Sequence, residues 1–89
     1  MVIVDFWATW CAPCKMLNPT LERFAVAQGD AVEVVKMDID HCKDTAAQFG
    51  VKSAPTLILF RDGEVLDQKR GIQSKGQLDK WVAEHAAGH

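Results

Sequence analysis

A run of six residues, Val2-Ile3-Val4-Asp5-Phe6-Trp7, leads after a short spacer into Cys11-Ala12-Pro13-Cys14, and an amphipathic segment follows at once. The run is β-branched and aromatic apart from Asp5, which reads as a buried strand. Beyond the cysteines, Leu17, Leu21, Phe24, Ala25 and Gln28 recur at spacings of three and four, which is one face of a helix. Gly29-Asp30 is a normal stop for it, and Pro19 inside it is expected to kink it. A strand that turns through a Cys-x-x-Cys directly into a helix is the first step of an alternating strand–helix pattern.

The remainder extends that pattern. Val32 to Ile39 reads as a second strand and residues 41–49 as a short helix ending at Gly50. Leu57-Ile58-Leu59-Phe60 is a continuous apolar run, expected to be a central strand. Asp62-Gly63 is a hairpin signal, so Glu64 to Lys69 should return antiparallel. Ser74 with Gln77 matches a capping box, and Leu78, Trp81, Val82 and His85 then follow at helical spacing. The first two strands, joined by a helix, should be parallel. The expected architecture is an α/β fold over residues 1–89, a single small domain with a four-stranded mixed sheet flanked by three helices.

Composition excludes several classes. Ten basic and twelve acidic side chains are mixed along the chain for a net charge of −2, so no basic patch points to nucleic acid. The start lacks the pattern of a signal peptide, and no stretch approaches a membrane span. Three cysteines are too few for a disulfide scaffold, so a cytoplasmic setting without membrane association is expected.

Two cysteines three apart at a helix start can close a small disulfide loop. The unpaired N–H groups and the macrodipole of a helix N-terminus favour an anion, and the thiolate is the reactive form of cysteine. Lys15 adds positive charge, and Pro13 suits a first helical turn. Structural zinc is the competing reading, but Cys42, His41, His85 and His89 show no recognisable ligand spacing. An inert buried pair is disfavoured by Trp10 and Pro13, which mark an exposed loop. The expectation is a redox-active dithiol with no metal and no cofactor. Asp5 has two readings: a strand-end carboxylate reaching solvent, or a buried group whose pKa desolvation raises.

The segment Val4-Asp5-Phe6-Trp7-Ala8-x-Trp10-Cys11-x-Pro13-Cys14-Lys15 closely resembles the active-site segment of the thioredoxin family. Ala54-Pro55-Thr56 resembles that family's proline loop, Asp62-Gly63-Glu64 its hairpin, and Gly71 with Ser74-Lys75-Gly76-Gln77-Leu78 the start of its last helix. The resemblance implies a thioredoxin-like fold and a protein-disulfide reductase. It implies that Cys11 attacks a substrate disulfide, that Cys14 resolves the mixed disulfide, and that Asp5 accepts a proton from Cys14, with Lys36 moderating Asp5. It implies a cis bond at Pro55, with the Ala54 backbone pairing with substrate. Trp10, Ala12, Pro13, Gly71 and Ile72 would complete a shallow, uncharged surface, with Trp7 beside it. The implied partners are disulfide-containing proteins and thioredoxin reductase or an equivalent electron donor.

Two departures stand out. Ala12 replaces the usual glycine, which bears on redox potential. The match also starts at Val2, where thioredoxins have a further strand and helix in front, so a short thioredoxin lacking both is expected. That would leave Val32–Met37 as an open sheet edge; a monomer is expected, with a dimer paired through that edge as the alternative. A non-catalytic interaction module and a dithiol oxidase or isomerase are the alternatives. The former is opposed by the intact dithiol and proline loop, the latter by Ala12-Pro13. Cys42 is read as a spare half-buried thiol, with a regulatory role as the second option.

Overall fold

The structure, a computed structural model, describes residues 1–87, with Ala87 described in its backbone alone. The elements are β1 (Val2–Trp7), α1 (Ala12–Gln28), a 3₁₀ turn (Gly29–Ala31), β2 (Glu33–Asp38), α2 (Lys43–Gln48), β3 (Thr56–Arg61), β4 (Glu64–Arg70) and α3 (Lys75–Ala87). The strands form one sheet in the order β2-β1-β3-β4. β1 and β2 are parallel, and β3 runs antiparallel to both β1 and β4. This is the expected mixed four-stranded sheet.

Alternation along β1 decides which helix covers which side chain. Ile3 packs with Leu17, Leu21 and Phe24 of α1 and with Leu78, Trp81 and Val82 of α3. Phe6 points to the other face and packs with Ala46, Val51 and Ile58 near α2, where Phe49 and Phe60 meet edge-to-face at 5.4 Å. Asp5 and Trp7 therefore share the α1 face with Ile3. α1 continues through Pro19, whose missing N–H costs one rung of the ladder.

Local signals act as their chemistry requires. Asp62 and Gly63 both have positive φ, 51° and 81°, which the tight turn between β3 and β4 needs. At the head of α3, Ser74 Oγ accepts the Gln77 N–H at 3.1 Å, and Gln77 Oε1 accepts the Ser74 N–H at 2.8 Å. Ser74→Ala is expected to cost about 1 kcal/mol of stability, read by urea unfolding. Unchanged stability would mean the cap contributes nothing. Near its other end α3 is fastened to β4, because Asp67 Oδ2 accepts the Trp81 indole N–H at 2.8 Å and lies 3.1 Å from His85 Nε2.

The short helix starts later than the sequence suggests. The N–H groups of His41 and Cys42 both donate to the Asp38 carbonyl, and His41 Nδ1 lies 2.9 Å from the Asp38 carboxylate. These two residues form a turn that leaves β2, and the helix begins at Lys43.

Candidate active site

Cys11 occupies the N-cap of α1, and Cys14 lies in its first turn. Pro13 between them falls where a helix needs no N–H donor. The two cysteines are joined by a disulfide, with their Cα atoms 5.3 Å apart. Cys11 Sγ accepts the Cys14 backbone N–H at 3.1 Å. The sulfur thus takes the place that a serine or aspartate oxygen usually holds at a helix start. The same N–H and the helix dipole would favour negative charge on Cys11 once the disulfide is reduced.

The exposed loop is only part of the picture at this site. Trp10 is 66% exposed, whereas Cys11 and Cys14 are 3% and 2% exposed. Ala8 is buried with them, and Trp7, Ile39 and Ala54 pack against the group. Loop exposure therefore does not carry over to the cysteines themselves.

Asp5 is 1% exposed, and among the described residues neither carboxylate oxygen has a hydrogen-bond partner. The reading of a carboxylate reaching solvent is corrected here: β1 is an interior strand, and α1 covers the face on which Asp5 lies. Burial pushes its pKa up to about 6, against the pull of Lys36. Lys36 faces Asp5 across the β1–β2 pair and is exposed at the sheet edge. Along β1, Asp5 falls between Ile3, which touches the middle of α1, and Trp7, which touches the dithiol.

The proline loop closes the other side. The Ala54–Pro55 bond is cis. Thr56 Oγ1 donates to the Ser53 carbonyl at 2.7 Å, and the Gly71 N–H donates to the Pro55 carbonyl at 2.9 Å. Gly71 has φ 82°, a conformation that glycine adopts at no steric cost. Ile72 beside it is 48% exposed, and Ala12, Pro13 and Lys15 are exposed on α1.

Asp40 and Ile39 also belong to this neighbourhood and were not singled out from sequence. The Trp10 indole N–H donates to Asp40 Oδ2 at 2.9 Å, and Ile39 packs on the cysteines. The signal was the parallel pairing of β1 and β2, which brings the carboxyl ends of both strands to one place. Among the described residues no group of three or more His, Cys, Asp or Glu side chains could hold a metal ion. His89 lies outside the described residues. No helix among them is long and apolar enough to cross a membrane.

The thioredoxin family model matches residues 1–84. The chain belongs to the thioredoxin family. A thioredoxin from Alicyclobacillus acidocaldarius is 49% identical over 83 residues, covering 93% of this chain and 79% of that one. A Bacillus subtilis thioredoxin is 44% identical over 85 residues, covering 96% and 82%. A solved structure described as that of a malarial protein superposes with a TM-score of 0.88 at 28% identity, covering 94% of each chain. The thioredoxin fold expected from sequence is thus the observed one. With a disulfide at Cys11–Cys14, this family member is a thiol–disulfide oxidoreductase of the protein-disulfide reductase type.

Proposed function

We propose that Cys11 is the attacking thiol and Cys14 the resolving thiol. In the reduced protein the Cys11 thiolate attacks one sulfur of a substrate disulfide. A Cys11–substrate disulfide forms and the other substrate sulfur leaves as a thiolate. Asp5 then takes the proton of Cys14, and the Cys14 thiolate attacks Cys11 Sγ. The second substrate thiolate departs, the Cys11–Cys14 disulfide closes, and two electrons have passed to the substrate.

The observation that carries the assignment is the Cys14 N–H donated to Cys11 Sγ at the helix N-cap. It stabilises charge on Cys11 rather than on Cys14. Asp5 suits a proton acceptor because its pKa of about 6 is close to neutral pH. Lys36 keeps that value from rising further, and Lys15 adds positive potential at the start of α1. Trp7 backs the dithiol from the sheet.

The substrate-facing surface consists of Trp10, Ala12, Pro13, Ala54, Pro55, Gly71 and Ile72. The Ala54 backbone pairs with the substrate chain. The chain works as one thioredoxin-like domain in the cytoplasm, without a cofactor, and an external dithiol donor such as thioredoxin reductase recharges it. Insulin reduction driven by dithiothreitol tests the reading. The wild-type protein is expected to accelerate precipitation of the insulin B chain, and Cys11→Ser to leave only the uncatalysed rate. A Cys11→Ser variant that retains activity would overturn the assignment.

A further inference from the structure

The sheet order sets four strand ends in a row beside the dithiol. They are Asp38 closing β2, Trp7 closing β1, Thr56 opening β3 and Arg70 closing β4. The disulfide packs over the middle of this row, against Trp7 and Ala54. The two outer positions carry opposite charge. On the β2 side, the His41 ring and the Asp40 backbone N–H hold the Asp38 carboxyl below the usual carboxylate range, and Asp40 lies next to it under Trp10.

On the β4 side stands Arg70. It is exposed, it pairs with Thr56, and the N–H of the next residue is bonded to Pro55. Among the described residues its guanidinium takes part in no ion pair and no hydrogen bond. Lys52, exposed in the loop before Pro55, likewise takes part in no ion pair or side-chain hydrogen bond among the described residues. The uncharged surface expected from sequence is therefore bounded by an acidic side and a basic side.

We propose that Arg70 is a specificity residue, selecting protein disulfides in which an acidic side chain flanks the attacked cysteine on the β4 side. This rests on Cys11 and Cys14 being the reacting dithiol. A free guanidinium one strand from the proline loop meets whatever residue a bound segment places there. The carboxylates on the β2 side disfavour the same acidic residue in the opposite placement. Segments with acid towards β4 and base towards β2 are therefore reduced fastest. A charge at the rim of an interface acts mainly on the rate of association.

The test uses short peptides, each with one cysteine held as a mixed disulfide with 2-mercaptoethanol. The residue before or after that cysteine is aspartate, asparagine or lysine. The protein is reduced, freed of reductant, and mixed with each peptide in turn. Chromatography follows the released peptide thiol.

In one of the two placements, the aspartate peptide is expected to react about threefold faster than the asparagine peptide, as one exposed ion pair allows. The lysine peptide is expected to be the slowest in that placement. The preference should survive Arg70→Lys, invert in Arg70→Glu, and fade in 1 M salt, where charges are screened beyond about 3 Å. Equal rates for all peptides, or a preference unchanged in Arg70→Glu, would overturn the role of Arg70 and leave the dithiol reading intact. Failure to reduce any peptide would overturn both.

Discussion

Replacing Cys14 with serine is expected to halt the reaction at its covalent midpoint. Cys11 still attacks, so one equivalent of substrate thiol is released. The serine hydroxyl does not attack the mixed disulfide, and the adduct accumulates to one substrate per chain. Intact-mass spectrometry and non-reducing gels read the adduct directly, while turnover falls to background. The asymmetry comes from position on one helix. Exposure does not separate the two sulfurs, since both residues are almost fully buried. Cys11 stands at the N-cap and receives an N–H, whereas Cys14 sits inside the first turn against the core. Cys42, the one other cysteine of the sequence, is half-buried next to α2. A Cys42→Ser background therefore removes ambiguity about where the adduct forms. Sustained turnover by the Cys14→Ser protein would reject the two-step scheme.

Asp5→Asn is expected to make the protein more stable and slower at the same time. In the folded chain Asp5 keeps its proton up to about pH 6, while in the unfolded chain it ionises near its ordinary value of 3.8. Between those values the folded state binds more protons, so stability falls as pH rises, and the loss is complete above about pH 6. A shift of this size corresponds to about 3 kcal/mol. Asparagine does not ionise, so the variant escapes that loss. Its advantage over wild type, measured by urea unfolding of the oxidised forms, should be near zero below pH 4. At pH 8 it should reach about 3 kcal/mol. The kinetic counterpart is a slower release of the mixed disulfide with little change in its formation, because in the proposed scheme Asp5 takes the proton of Cys14. Such opposition between stability and activity is common where a buried charge serves chemistry. A stability difference independent of pH, or equal slowing of both steps, would count against the role of Asp5.

Much of this arrangement was legible in the chain because local chemistry and the fold agree. The apolar run before Trp7, the Asp62-Gly63 turn and the Ser74–Gln77 box each specify an element by short-range physics, and each element forms where expected. α2 is shorter than its sequence suggests because the Asp38 carbonyl and carboxylate capture His41 and Cys42 in a turn. The burial of both cysteines was not legible, since Trp7, Ile39 and Ala54 approach them from three separate segments. The contribution of Asp40 was hidden for the same reason. Its bond to Trp10 spans thirty positions of sequence. Asp5 stood out as an isolated charge in an apolar strand, but only the covering helix decides that it is enclosed rather than hydrated.

The four segments meeting around the disulfide have a consequence for what the Cys-x-x-Cys can do alone. The cysteines bring the sulfur chemistry, β1 the buried acid, the turn after β2 a tether for Trp10, and the Pro55–Gly71 junction a wall. A peptide carrying residues 10–15 has the first of these and none of the others. The reagent is local, but the environment that tunes it is a property of the entire chain, so selection on reactivity bears on residues scattered from one end of the sheet to the other.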